Sequence, residues 1–381
     1  MKLTKKTVFS GLITLIILVG IGIFLYWFFH GRFFQSTDDA YVTGNQVVIN
    51  PQIQGSVTMI DAENTCYVEK GHQLIAIDPT DYIISLNTAK EKLGNACRKV
   101  VDLFEQVEEK KADVLAKKAR MNVSEQEFQR RQLLLTSGAV SLEDFEQSEA
   151  QYLADQAMLL LAETELEAAE MQVFQTTVTT HPQVLEAVEL VKDAYVKLKR
   201  CKIFSPVSGL VAQRNVQVGQ WVTPSDSLMA IIPLSEMWVD ANFREVQLKK
   251  MRIGQKVRLV SDMYGSDLKY TGTIVGFAGG TGSVFSVLPP QNATGNWVKI
   301  IQRLPVRIAL KPEELKKHPL RLGLSMTATV DLRDEKGKVI PEPLPPGMIY
   351  QTDIFEDQAE GVDLLIKEIL IQNIPQRYLE P

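Results

Sequence analysis

The chain has 381 residues, which at about 150 residues per domain predicts two to three domains. With 45% hydrophobic and 23% charged residues and a mean hydropathy of −0.03, it is neither a disordered chain nor a protein with many membrane spans. Its 41 Lys and Arg against 46 Asp and Glu, a net charge of −5, include no basic block for nucleic-acid binding, and three cysteines cannot form a disulfide framework.

An uncharged apolar segment runs from Val8 to Phe29. About 22 residues at about 1.5 Å each cover the roughly 30 Å hydrocarbon layer, whereas the apolar run of a signal peptide has only about 7 to 15 residues. We therefore expect an uncleaved membrane anchor; a buried core helix is the alternative. Lys2, Lys5 and Lys6 precede the segment, so the positive-inside rule predicts a cytoplasmic N-terminus and an exported remainder.

Two segments that are far apart in the chain share one order of strand and turn signals. Residues 47–77 and residues 203–232 each pass through a strand, a proline, a glycine, a further strand, a glycine turn and an apolar strand. Each half is too small for a core of its own, so we expect the halves to bury their apolar faces against each other. Two unrelated β-hairpins are the alternative.

A long helical pattern separates these halves. Apolar residues recur at every seventh position, with no polar interruption, in this column: Leu86, Leu93, Val100, Val107, Val114, Met121, Phe128 and Leu135. The spacing repeats from Phe145 to Val173, is interrupted at Thr176 to Pro182, and resumes from Val184 to Leu198. A strict seven-residue repeat predicts a left-handed supercoiled pairing, here an antiparallel hairpin with a first helix of roughly 80 Å.

The turn of this hairpin is predicted at residues 137–141. Gly138 suits the left-handed geometry of a helix C-cap, and Ser141 followed by Asp144 is typical of a helix N-cap.

The last third of the chain changes character. From Met237 onward short strands alternate with glycine turns, which predicts a small β-barrel. Beyond Pro341 a proline-rich linker leads to a short amphipathic helix from Val362 to Ile371, whose role the sequence does not assign.

Several motifs occur in a fixed order along the chain. They are TDDAYVTG at 37–44, PQIQG at 51–55, SPVSG at 205–209, ATGNWVKIIQRLPVRI at 293–308 and PLRLGLS at 319–325. With these motifs the sequence resembles the periplasmic adaptor, or membrane fusion, family of bacterial efflux and secretion systems (the HlyD superfamily), and within it the EmrA type.

The resemblance implies an elongated, modular α+β fold. It would comprise an N-terminal transmembrane helix, a split lipoyl-like (barrel-sandwich hybrid) domain, a long antiparallel α-helical coiled-coil hairpin and a small β-barrel. The expected divisions are 1–36 for the cytoplasmic stub and anchor, 37–81 and 201–234 for the two lipoyl-like halves, 82–200 for the hairpin, 235–335 for the barrel, and 336–381 for the linker and tail.

The resemblance also implies a function. Such a chain would be the non-enzymatic adaptor subunit of a tripartite multidrug efflux pump in the bacterial inner membrane, with its bulk in the periplasm. It would link a major-facilitator (EmrB-like) transporter to a TolC-like outer-membrane channel for the export of hydrophobic toxic compounds. We expect a homo-oligomer, a trimer or a hexamer.

The family has a docking pattern at the hairpin tip, in which a Leu follows an Arg by four residues and a Ser follows the Leu by seven. Arg130, Leu134 and Ser141 match this spacing and, with Gly138, are the expected docking residues for the outer-membrane channel. The usual Leu after the Arg is replaced by Arg131. Helix capping by Ser141 and supercoil packing by Leu134 are alternative roles that are compatible with docking.

No cofactor or metal is expected. Lipoyl and biotinyl carriers present a Lys between their two halves, and here the helical insertion occupies that position. The four histidines are isolated and lack metal-ligand spacing. Gly279, Gly280 and Gly282 lack the Lys-Ser/Thr of a phosphate loop, and we interpret them as a barrel loop that faces the transporter or the substrate.

Two other functions stay open from the sequence. One is an adaptor of an ABC-type (type I) secretion system, and the other is a membrane-anchored coiled-coil scaffold without a transport role. The split β-repeat argues against the scaffold, because a scaffold has no need to interrupt one small domain with a hairpin.

Overall fold

The computed structural model describes residues 5–29, 31–282, 284, 301–343 and 350–379. Its helices are α1 (Lys5–Phe29), α2 (Thr80–Thr136), α3 (Leu142–Gln172), α4 (Pro182–Lys199), α5 (Pro312–Lys317) and α6 (Val362–Asn373). Its strands are β1 (Phe34–Gly44), β2 (Val47–Ile49), β3 (Gly55–Ile60), β4 (Tyr67–Val68), β5 (Gln73–Ile77), β6 (Lys202–Phe204), β7 (Gly209–Arg214), β8 (Trp221–Val222), β9 (Met229–Ile232), β10 (Met237–Arg244), β11 (Lys256–Ser261), β12 (Lys269–Phe277), β13 (Arg303–Leu310) and β14 (Ser325–Asp331).

The two distant β segments fold as one sandwich. One sheet has the strand order β2-β9-β7-β4 and the other has the order β6-β5-β3-β8, so each sheet takes two strands from either side of the helical insertion. Val48 pairs with Ala230 in the first sheet, and Ile75 pairs with Ile203 in the second. A shared apolar core lies between them. The predicted pairing of residues 47–77 with residues 203–232 is confirmed.

Strand β1 lies in the barrel, which differs from the predicted boundary of the lipoyl-like domain at residue 37. It pairs with β10, for example Val42 with Val239, and with β14, for example Ser36 with Thr329. Ala40 and Val42 are buried in the barrel core. The alternation of residues 34–44 predicts a strand but does not identify its partners, which are about 200 and 290 residues away. Because β1 belongs to the barrel, the first lipoyl-like half begins at β2.

The barrel is closed, with the strand order β1-β10-β13-β12-β11-β14. In β10 and β14 buried side chains alternate with half-buried or exposed ones, as expected when one face of a strand points into a barrel core. Of the motif at 293–308, residues 293–300 lie outside the described residues, whereas Arg303–Ile308 form most of β13.

The hairpin rises from the sandwich as predicted. Helix α2 continues for 57 residues, about 86 Å at the rise of an α-helix. In the seven-residue column the first four side chains are buried and the last four are half-buried, so the packing thins toward the tip.

The returning arm of the hairpin consists of two helices, α3 and α4, with a break between them. His181 bridges the break: its Nε2 donates to the carbonyl oxygen of Gln172 at 3.2 Å, and its Nδ1 accepts from the backbone N–H of Gln183 at 3.3 Å. One donating and one accepting nitrogen is the arrangement of a neutral imidazole. This buried histidine therefore caps α4 and holds the two helices in line.

The C-terminal helix packs against the base of the hairpin. Val362, Ile366 and Ile369 of α6 are buried in one apolar cluster with Leu93 and Val100 of α2. The predicted amphipathic helix at 362–371 is thus present, and it forms a third helix beside α2 and α4.

Candidate docking site at the hairpin tip

The turn between α2 and α3 is a tight glycine-terminated cap. The backbone N–H of Gly138 donates to the carbonyl of Leu135 at 3.0 Å, and that of Ala139 donates to the carbonyl of Leu134 at 3.1 Å. This is the Schellman arrangement, which requires a left-handed residue just after the helix, and Gly138 has a φ of 72°. A residue with a Cβ would be strained there. The local cap thus fixes where Leu134 and Arg130 are presented.

Ser141 begins α3 as its N-cap. Its Oγ accepts the backbone N–H of Asp144 at 3.1 Å and donates to Oδ2 of the same residue at 2.5 Å. A hydroxyl in this position satisfies a helix N–H that would otherwise lack a partner. Ser141 therefore caps α3, as the sequence predicts.

Two adjacent arginines near the end of α2 have different environments. Arg131 donates from Nη1 to the carbonyl oxygen of Asp144 at 2.8 Å, across the hairpin, and its Nε lies 2.9 Å from Oε1 of Glu127. Arg130 has a side chain that is 68% exposed, with Nη1 at 3.3 Å from Oε2 of Glu127. An exposed ion pair of this kind contributes little, so Arg130 can exchange it for another partner.

Below the turn, aromatic and charged groups join the helices. The rings of Phe128 and Tyr152 are stacked with centroids 5.6 Å apart, and Phe145 lies 5.5 Å from Phe128. Asp155, whose side chain is almost fully buried, pairs with Nε of Arg120 at 3.0 Å. A hydrogen bond from Gln151 is the main cause that lowers the pKa of the Asp155 carboxyl, so this carboxylate stays ionised.

The tip also exposes leucines that the motif comparison does not include. Leu133 is 74% exposed and Leu142 is 61% exposed, beside Leu134 at 39%. Exposed apolar side chains that cluster are typical of contact surfaces. The sequence indicates this exposure, because Leu133 and Leu134 lie outside the seven-residue apolar column to which Leu135 belongs.

The other predicted site residues lie in other elements. Val8 and Phe29 belong to α1, which is long and apolar enough to cross a membrane. Gly279, Gly280 and Gly282 follow β12, with Gly279 and Gly282 exposed, and residue 283 and residues 285–300 are not among the described residues. Arg130, Leu134, Gly138 and Ser141 therefore share the hairpin tip, while the anchor and the glycine loop are separate sites.

Comparison with known proteins identifies a family model, relatives and a solved structure that this chain resembles. A family model described as the α-helical hairpin domain of EmrA matches residues 80–201. The chain is 43% identical over 338 residues to the probable multidrug resistance protein EmrK of Escherichia coli K12, covering 89% of this chain and 87% of that protein. It is 39% identical over 372 residues to the multidrug export protein EmrA of Haemophilus influenzae, covering 98% and 95%. A solved structure of the periplasmic adaptor protein EmrA aligns with a TM-score of 0.40 at 17% identity, over 79% of this chain and 99% of that one.

A membrane-length helix, a β-sandwich interrupted by a long helical hairpin, and a β-barrel define the class of membrane fusion proteins, the periplasmic adaptors of bacterial export systems. Within that class, identities of 43% and 39% over most of the chain assign this protein to one family. The chain belongs to the EmrA family of multidrug export adaptor proteins. The predicted family and fold class are confirmed.

Proposed function

We propose that the chain is the adaptor subunit of a tripartite efflux pump, joining an inner-membrane major-facilitator transporter to a TolC-like outer-membrane channel for the export of hydrophobic toxic compounds. The observation that carries the proposal is the hairpin of about 86 Å that projects from an anchored β-sandwich. A rod of this length, fixed at its base and capped at its tip, suits a chain that spans a gap between two membranes. The names of its relatives, which refer to multidrug export and resistance, support the same role.

The orientation follows from the charges that flank α1. Lys2, Lys5 and Lys6 favour a cytoplasmic N-terminus by the positive-inside rule, so the bulk of the protein lies in the periplasm. The transporter then meets the chain at the membrane side, and the hairpin tip points toward the outer membrane.

The tip docks onto the channel in this proposal. Arg130 supplies an accessible guanidinium, and Leu133, Leu134 and Leu142 supply exposed apolar side chains near the turn. Gly138 and Ser141 act by fixing the turn. Several copies of the chain, a trimer or a hexamer, would surround the transport path, with Gly279, Gly280 and Gly282 in a barrel loop that faces the transporter or the substrate.

The length of the hairpin provides a test. Lys110 pairs with Glu165 and Arg120 pairs with Asp155, so residues 107–120 of α2 face residues 155–168 of α3. Deleting both segments removes two heptads from each helix, keeps the register and shortens the rod by about 21 Å. We expect a strain with this variant to be as sensitive to hydrophobic toxic compounds as the gene deletion.

Replacing the deleted heptads by heptads of different surface sequence is the control and should restore resistance. Unchanged resistance with the short hairpin would contradict the bridging role. If the gene deletion abolishes secretion of a protein and leaves resistance unchanged, the chain serves an ABC-type secretion system instead.

A further inference from the structure

A groove lies on one open side of the β-sandwich. Strand β2 is at one edge of the first sheet and β6 is at one edge of the second, and residues 352–358 of the C-terminal tail pass beside both of them. The tail is held there by Oγ1 of Thr352, which donates to the carbonyl of Pro206 at 3.2 Å, and by Asp353, which pairs with Nζ of Lys70 at 2.8 Å. The groove between the sheet edges and the tail is open to solvent on one side and has a volume of about 470 Å³.

The walls of this groove are largely apolar. Val48, Phe204 and Phe355 line it, and they are 50%, 38% and 49% exposed. Pro51 and Ile354 complete the apolar wall. Small-molecule sites are concave, mostly apolar and about 300 to 1,000 Å³ in volume, so both the size and the lining suit a small organic compound.

The charged side chains that line this groove are both basic, and Asp357 and Glu360 line the adjoining pocket that shares Lys202 with it. Arg200 and Lys202 line the groove, and no carboxylate is among its lining residues. Arg200 uses Nε to donate to Oε1 of Gln358 at 3.0 Å, which leaves its other N–H groups for a ligand. Within the described part of the chain, no carboxylate pairs with the Lys202 ammonium, and the nearby Asp353 is neutralised by Lys70.

We propose that this groove binds a hydrophobic organic acid. The apolar body of the ligand packs between Phe204 and Phe355, and its carboxylate accepts hydrogen bonds from Lys202 and Arg200. Two cations at the rim of an apolar cavity are complementary to an amphipathic anion, whereas a neutral compound leaves the cations unused and a cationic compound is repelled. The site needs the docked tail as one wall, and it does not depend on the export role of the chain.

Photolabelling tests the proposal on the full chain in phosphatidylcholine nanodiscs. The probe is 4-benzoylbenzoate, and its amide is the uncharged analogue with the same body. We expect the acid to form adducts on peptides that contain residues 47–52, 200–206 and 352–358, and to label them about tenfold more than the amide, because a hydrogen bond to a charged group changes affinity by about this factor.

Two variants locate the interaction. Lys202→Gln should reduce labelling by the acid about tenfold and leave labelling by the amide unchanged. Val48→Trp, which fills the groove, should reduce labelling by both compounds. Lys118→Gln, an exposed lysine on the hairpin, is the matched control and should behave as the parent protein.

Equal labelling by the acid and the amide would exclude recognition of the anion. Adducts confined to other peptides would exclude a small-molecule site there.

Discussion

Neighbouring residues of the same type perform different tasks at the hairpin tip. Arg131 joins α2 to the first turn of α3 through the Asp144 carbonyl, so it acts within the chain. Arg130 keeps its guanidinium in solvent and shares Glu127 with Arg131. The guanidinium fork favours paired hydrogen bonds to a carboxylate of a partner, and Arg130, whose ion pair with Glu127 is exposed, is the better placed of the two to form them.

We predict that Arg130→Asp reduces cross-linking of the tip to a TolC-like channel at least tenfold. The change removes a charged hydrogen-bond donor and introduces a like charge to any carboxylate partner, while the exposed position leaves the helix intact. Cross-linking from a photoreactive residue at position 133 measures the effect.

Lys118→Asp is the matched control, because it makes the same charge change on an exposed face of α2, well below the tip. Equal cross-linking by the Arg130→Asp variant and the control would remove Arg130 from the docking surface.

Part of the hairpin tip could be predicted from the sequence, because its helix caps depend on local interactions. Gly138 and Ser141 are recognisable as caps because their partners lie within a few residues. The bond from Arg131 to Asp144 joins two helices, so the sequence pattern showed only that Arg131 departs from the usual Leu. A contact across a turn depends on the geometry of that turn, which spacing alone does not provide.

Among the elements, the C-terminal helix is the one whose packing role the sequence leaves unassigned. The C-terminal end of α6 and the residues after it are tied to α2: Arg98 donates to Oδ1 of Asn373 at 2.5 Å, and the hydroxyl of Tyr378 donates to Oε1 of Glu105 at 3.1 Å. Gly94 lies directly beneath Asn373, where an added Cβ would be 2.9 Å from its Oδ1. The base of the hairpin is thus a three-helix bundle, and the tail stiffens the junction from which the hairpin projects.

We predict that Ile366→Ala loosens this bundle. Ile366 is 6% exposed, and truncating a buried Ile costs about 2 to 5 kcal/mol. Hydrogen exchange of the α6 amides, followed by mass spectrometry, should accelerate strongly.

Leu364→Ala is the matched control, since Leu364 lies in the same helix and is 75% exposed. If the α6 amides of both variants exchanged at the rate of the parent protein, α6 would not be part of a cooperatively folded three-helix bundle.

The amphipathic pattern of residues 362–371 was sufficient to predict a helix but not to name its partner. An apolar stripe specifies that a face is buried, and any apolar surface of matching shape can bury it. The seven-residue column of α2 identified its packing partner, which the apolar stripe of α6 did not. A strict repeat over this length requires a helical partner, and the descending helix has the same spacing.

At the scale of the whole molecule, β1 connects the membrane helix to the barrel. The strand begins five residues after α1 ends, and it closes the barrel between β10 and β14. Asp39 in this strand pairs with Nη1 of Arg303 at 2.5 Å, and Oγ1 of Thr37 donates to the carbonyl of Asn242 at 3.0 Å. Strand β1 therefore holds the barrel within a few residues of the end of α1.

We predict that a chain beginning at residue 31 keeps its barrel and that a chain beginning at residue 45 loses it. Removal of β1 leaves β10 and β14 with unpaired edges, which favour exchange and aggregation. Hydrogen exchange in β10 and β14, together with size-exclusion chromatography, compares the two chains.

The chain that begins at residue 31 is itself the control for loss of the anchor. Full protection of β10 and β14 in the shorter chain would mean that β1 is dispensable for closure.

This closure has a consequence for biosynthesis. Strand β1 is made almost first, but its neighbours in the ring are completed about 200 and 290 residues later. Contacts between such distant segments form slowly, and chains emerge N-terminus first. Strand β1 therefore keeps one edge open until β10 is complete at residue 244 and the other until β14 is complete at residue 331, so the ring can close only after the whole hairpin and both halves of the sandwich have been made.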